Sequence, residues 1–190
     1  MAVGESRRGA QSRRTFLKGI GAIALGTQGL LAAPALAKGA GDYRSIHLIN
    51  KRTDEWLKTV YWVEGDYVPE ALTAIDHIMR DWRAEKIRRI DAKTLDIIAA
   101  THTLLETSEP FQVISGYRSP ETNAMLRRRS RNVARKSYHM RGMAVDLTLK
   151  TRRIRDISRA ARSLDAGGVG TYSRAEFVHL DSGPKRTWGR

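Results

Sequence analysis

Residues 143–149 read Met-Ala-Val-Asp-Leu-Thr-Leu, an alternation that suits an extended strand better than a helix. Side chains two apart on a strand share a face, so Val145 and Leu147, with Leu149, form an apolar side. Ala144, Asp146 and Thr148 form the other. A carboxylate on a strand this apolar is costly to bury without a partner, and a bound cation is one remedy. A second run, Phe177-Val178-His179-Leu180-Asp181, alternates in the same way, with Val178 and Leu180 toward the core and Phe177, His179 and Asp181 opposite. Two such strands can each offer one ligand to a shared cleft. His139 precedes the first of them, and Gly142 lets the intervening loop turn back tightly. Two imidazoles and one carboxylate, His139, His179 and Asp146, form a donor set found in catalytic zinc sites that keep a fourth position for water.

The rest of the chain supplies a frame for those strands. Residues 45–50 and 55–63 read as a hairpin closed by Lys-Arg-Thr-Asp. Pro69 opens a helix whose apolar positions run from Ala71 to Trp82 at helical spacing, and Asp91 is a suitable N-cap for a second helix over 92–107. A strand over 111–116, a short helix over 121–129, a helix capped by Thr151 and running to about Ser163, and strands over 167–172 and 177–181 complete the pattern. The expectation is an α+β fold, a single catalytic domain with helices packed on a small, largely antiparallel sheet. Residues 38–190 form that domain, with 38–66 as an N-terminal β extension. His77 and His102 fall within predicted helices away from any ligand spacing; they and His47 read as structural.

Composition narrows the chemistry. The chain has 190 residues, enough for one domain with its own core. It contains no cysteine, so disulfides and thiolate metal sites are excluded, and any metal must be held by His, Asp or Glu. The net charge is +14. The densest basic block, Arg127-Arg128-Arg129-Ser130-Arg131, lacks interleaved aromatics.

The N-terminus reads as a leader rather than as part of the fold. Ser12-Arg13-Arg14-Thr15-Phe16-Leu17-Lys18 is followed by an apolar, glycine-containing run from Gly19 to Leu31 and by small residues ending at Ala37. Paired arginines, a modest apolar segment and an A-x-A site make up an export signal of twin-arginine type over residues 1–37. Its removal takes away five basic groups and one acidic group, which lowers the net charge from +14 to +10. The expected product is a periplasmic protein without stable membrane insertion, monomeric, and with no nucleic-acid partner despite its charge.

The motifs in order carry a resemblance. Ser137-x-His139-x-x-Gly142-x-Ala144-x-Asp146 resembles the first zinc motif of the D-alanyl-D-alanine carboxypeptidase class of metallopeptidases, and His179 matches the second. Ser115-Gly116-Tyr117-Arg118-Ser119, Thr122-Asn123, Gly168-Val169-Gly170 and Phe177-Val178-His179-Leu180-Asp181 look closest to the murein endopeptidase K family within that class. The resemblance implies one zinc ion per chain on His139, Asp146 and His179, and peptidoglycan as the substrate. It implies hydrolysis of peptide cross-links by a metal-activated water. Arg118 would stabilise the oxyanion or grip a substrate carboxylate, and Ser137 would orient the ligand loop or substrate. For the general base two candidates stay open. Asp181 shares the face of His179, and Glu176 fits a Glu-x-x-His spacing. The rival functions are a terminal carboxypeptidase of the same class and a non-catalytic wall-binding zinc module.

Overall fold

The hairpin expected near the start of the domain becomes the edge of a much larger sheet. The computed structural model describes residues 43–189; the leader expected over 1–37, the residues up to 42, and Arg190 lie outside them. Strands β1 (Tyr43–Asn50), β2 (Glu55–Val63) and β3 (Asp66–Tyr67) lead into helices α1 (Pro69–Ile78) and α2 (Ala92–Leu104). Strand β4 (Phe111–Ser115), helix α3 (Pro120–Arg129) and a 3-10 turn (Tyr138–Arg141) follow. Strand β5 (Ala144–Thr148), helix α4 (Ile154–Ser163), and strands β6 (Gly168–Tyr172), β7 (Phe177–Asp181) and β8 (Arg186–Gly189) complete the described chain.

The eight strands lie in one sheet in the order β3-β2-β1-β4-β5-β7-β6-β8. The α+β architecture agrees with the sequence, and most pairings are antiparallel, but the sheet is large rather than small. Two parallel joins extend it, β1 to β4 and β6 to β8. Through the first of these the segment expected as a β extension is hydrogen-bonded into the same sheet. β8 is too short and too polar to announce itself by alternation.

One face of the sheet carries the core. Paired residues stand on the same face, and the sets Leu57–Leu48–Phe111, Val113–Leu147–Val178 and Val145–Leu180–Val169 are apolar throughout. They pack with Ile75 and Ile78 of α1, Leu95 and Ile98 of α2, and Ile157 and Ala161 of α4. Burying each such side chain contributes about 1.5–3 kcal/mol, so this layer drives folding.

Three helix boundaries differ from the sequence expectation. α1 stops at Ile78 rather than reaching Trp82, because the Met79 carbonyl accepts from Tyr117 N–H at 2.7 Å and Asp81 bridges to Lys86. α2 ends at Leu104, where the Leu105 N–H returns to the Thr101 and His102 carbonyls and Glu106 turns left-handed at φ 47°. α4 begins after Arg153 instead of at Thr151, whose backbone and hydroxyl both donate to the Glu109 carboxylate.

Candidate metal centre

His139, Asp146 and His179 meet on the face of the sheet opposite the core. Asp146 of β5 and His179 of β7 are direct cross-strand partners, and Gly170 of β6 is the next residue in that row. His139 comes from the 3-10 turn. That turn ends at Gly142 with φ 69°, where a Cβ would stand 2.3 Å from the Arg89 carbonyl oxygen. A side chain there would displace the turn and His139 with it.

The three ligand atoms converge. His139 Nε2 lies 3.2 Å from Asp146 Oδ1 and 3.2 Å from His179 Nδ1, and His179 Nδ1 lies 2.8 Å from Asp146 Oδ1. The partners behind the rings fix the tautomers. His139 Nδ1 is 2.7 Å from the Gly116 carbonyl, which only accepts, so the proton sits on Nδ1. His179 Nε2 is 2.9 Å from Asp181 Oδ2 and donates to it, which leaves Nδ1 as the nitrogen facing Asp146 and His139. Two imidazole nitrogens and a carboxylate oxygen are thus aimed at one point. Tetrahedral zinc with ligands at about 2.0–2.1 Å needs donor–donor separations of about 3.3 Å, close to those present. The donor set fits a zinc ion, and it does so with the ligands that the resemblance implies.

The charges at the site are set by burial and by their neighbours. Burial opposes charge on Asp146, but His139 and His179 hold its carboxyl well below the usual range. Burial lowers the pKa of His139. His179 also suffers burial, yet the Asp146 and Asp181 carboxylates prevail and raise it to about 9. Asp146 Oδ2 accepts from the Arg118 guanidinium at 3.2 Å.

Arg118 follows β4 and is held from behind. Its N–H donates to the His139 carbonyl, and the next residue, Ser119, donates from its N–H to buried Asp81 at 2.9 Å. Ser119 also caps α3 by accepting from Thr122 N–H. Arg118 Nη2 reaches Ser115 Oγ as well as Asp146, while its buried Nε has no partner among the described residues. Arg118 and Ser137 both line a cavity of about 490 Å³ that opens over the three ligand residues.

The two base candidates are separated by the fold. Asp181 is fully buried behind His179, not beside the cavity. Its Oδ2 accepts from His179 and from Arg186 at 2.6 Å; its Oδ1 accepts from Gly183 N–H and again from Arg186. Burial alone would raise its pKa, but His179 and Arg186 hold it at about 2. The shared face seen in the sequence is real, but the carboxylate turns along the strand to the far nitrogen of the imidazole. Glu176 sits exposed in the β6–β7 turn at φ 54° and does not line the cavity.

Sequence reasoning missed Arg186 and Trp188 of β8. Trp188 lies 5.2 Å from the His179 ring between centroids and donates from Nε1 to the Tyr172 hydroxyl at 2.9 Å. It covers Gly170, where a Cβ would come within 2.5 Å of the indole. The one available signal was their two-residue spacing after Pro184, which puts both on one side of an extended segment.

Comparison with known proteins gives the family. The family model described as peptidoglycan L,D-endopeptidase MepK matches residues 38–188. Peptidoglycan L,D-endopeptidase MepK of Escherichia coli (strain K12) is 42% identical over 178 residues, covering 93% of this chain and 97% of that protein. The probable peptidoglycan L,D-endopeptidase MepK of Haemophilus influenzae is 35% identical over 179 residues, covering 94% of this chain and 96% of that protein. With a match this long to both the family model and its members, the chain belongs to the peptidoglycan L,D-endopeptidase MepK family of peptidases.

Proposed function

We propose that this chain is a zinc-dependent peptidoglycan endopeptidase that hydrolyses cross-links between an L- and a D-centred residue, working in the periplasm after export. The observation that carries the reading is the convergence of His139, Asp146 and His179 on one point in a chain of this family. The names of the relatives supply the substrate and the L,D preference. Export rests on the twin-arginine pattern and small-residue site of residues 1–37. Among the described residues no helix is long and apolar enough to cross a membrane.

Zinc held by His139, Asp146 and His179 would supply a Lewis acid for the scissile carbonyl and a water acidic enough to react near neutral pH. The protein's own groups have distinct parts. The Gly116 carbonyl and the Asp181 carboxylate keep the protons on the outer nitrogens of the two imidazoles, so that both inner nitrogens stay free. Asp181 acts through His179, as a positioning residue, since its oxygens are occupied by His179, Arg186 and Gly183. Arg118 offers a fixed cation at the cavity wall to a substrate carboxylate or to the oxygen on which charge develops. Ser137, at the entry to the 3-10 turn, lines the same wall and meets the bound peptide.

The test is to incubate the protein, from residue 38 onward, with purified sacculi with and without a chelator and to identify the products by mass. Conversion of cross-linked dimers to monomers, abolished by chelation and restored by zinc, is expected. Release of terminal D-alanine alone would make the chain a carboxypeptidase, and metal-dependent binding with no product would make it a wall-binding module.

A further inference from the structure

The cavity opens onto a face of the sheet that no helix of the core layer covers. Cross-strand register defines a row on that face. Tyr172 of β6 pairs with Phe177 of β7, and the two rings stack at 4.5 Å between centroids. Leu147 pairs with Val178, so one residue on, Thr148 of β5 stands opposite Phe177. Thr148 pairs with Gln112 of β4, Gln112 with Ile49 of β1, and Ile49 with Trp56 of β2. The row therefore crosses six adjacent strands, about 24 Å at the usual strand spacing. It lies on the same face as Asp146, which is two residues from Thr148.

The two ends of this row differ in setting but match in chemistry. Tyr172 and Phe177 line the catalytic cavity. Trp56, at the far end, is 71% exposed, the most exposed large apolar side chain of the described residues. Between them Thr148, Gln112 and Ile49 are only half-buried. In the neighbouring row Lys58 pairs with His47, and Lys58 is exposed. Neither row contains an acidic residue.

We propose that this open face is a track for the glycan strand of the substrate, with Trp56 as its outer stacking platform. The proposal rests on peptidoglycan being the substrate. Three observations favour a polysaccharide over a protein partner. The row is continuous with the cavity in which the stem peptide is cut, and a polymer that carries its peptides as branches must lie beside that cavity. Aromatic rings stand at both ends of the row with the Thr148 hydroxyl and the Gln112 amide between them, which suits sugar rings, whose C–H faces stack on an indole and whose hydroxyls exchange hydrogen bonds with Gln and Thr. The apolar surface is interrupted rather than contiguous, unlike the apolar centre of a protein interface. Lys58 adds a cation toward lactyl and peptide carboxylates.

The test uses the protein from residue 38 onward and two substrates, intact sacculi and cross-linked peptide dimers freed of sugar. Trp56→Ala is expected to leave turnover of the sugar-free dimer within about twofold of the parent. Cleavage of sacculi and retention on them in sedimentation should both fall at least tenfold, with Trp56→Phe restoring much of each. An equal loss on both substrates would overturn the track, since that is a folding or site effect, as would no loss on either. If the parent chain proved dimeric and Trp56→Ala monomeric with sacculus binding intact, the face would be a self-association surface instead. Failure of the parent chain to cut either substrate would count against the endopeptidase reading, and retention on sacculi would then judge the track alone.

Discussion

The two faces of the sheet are made by the same strands and differ in almost everything else. On the helix side Val145, Leu147, Val178 and Leu180 are buried without a polar atom among their side chains. On the other side, one residue away along each strand, stand Asp146 and His179, mostly out of solvent but joined to Arg118, His139 and Asp181. One face is stabilised by area removed from water and tolerates any shape that fills it. The other is held by directional bonds between matched donors and acceptors. Because the strand period is two, a one-residue slip of β5 would exchange the faces, so the apolar layer also fixes the register of the site.

The sharpest way to break this comparison is to substitute neighbours. Asp146→Asn should abolish metal content and turnover, an effect beyond the roughly 10–100-fold that groups behind the ligands cost. Leu147→Ala should cost about 2–5 kcal/mol in denaturant unfolding while each folded molecule still binds one metal. Metal analysis, turnover and the unfolding midpoint, measured on both variants, check the pair. Full hydrolysis by a metal-free Asp146→Asn protein would sink the proposed chemistry.

A step down in size is Arg118→Lys. Lysine keeps the charge but loses the planar fork and the reach to Ser115 and Asp146 together. Turnover should fall by about 100-fold, as for loss of one preorganised oxyanion donor, with metal content unchanged. Loss of metal along with activity would mean that Arg118 serves Asp146 rather than substrate.

The apolar face was the more legible in sequence. Alternation in 143–149 and 177–181 named its residues, and the same alternation put Asp146 and His179 together on the other side. What alternation could not give was the direction of a side chain along the strand. Asp181 shares the face of His179, but only the structure turns its carboxylate onto the imidazole and into the grip of Arg186. Nor could local pattern anticipate parallel joins between strands distant in sequence, which enlarge the sheet at β1 and β8. Helix ends were misread for the same kind of reason: the Met79 carbonyl and Thr151 were claimed by Tyr117 and Glu109, partners 38 and 42 residues away.

Smaller still is the expected effect of Asp181→Asn. The amide keeps the size but offers the imidazole a weaker acceptor, so metal affinity or turnover should drop about 10–100-fold. A chelator-competition titration measures the first and the sacculus assay the second. An unchanged metal affinity with lost turnover would return Asp181 to the role of base.

The smallest effect separates two buried carboxylates, Asp146 and Asp81, by what holds them ionised. Asp146 is held by the site itself. Asp81, 2% exposed, is also held below the ordinary carboxylate range; burial opposes this, and hydrogen bonds from Thr122, Ser119 and Arg83 overcome it. A carboxyl whose folded pKa is depressed contributes stability that is present above its unfolded value, near 3.8, and is lost as pH falls toward the folded value. Asp81 therefore steepens the acid limb below about pH 4. Its donors are neutral groups of the α3 cap and a turn, none of them a metal ligand, so this part of the limb should be the same with and without chelator. Thermal midpoints between pH 3 and 7 should fall less steeply for Asp81→Asn than for the parent, by an equal amount in both conditions. A chelator-dependent difference would mean that Asp81, through Ser119 and Arg118, is coupled to the metal centre rather than serving the scaffold alone.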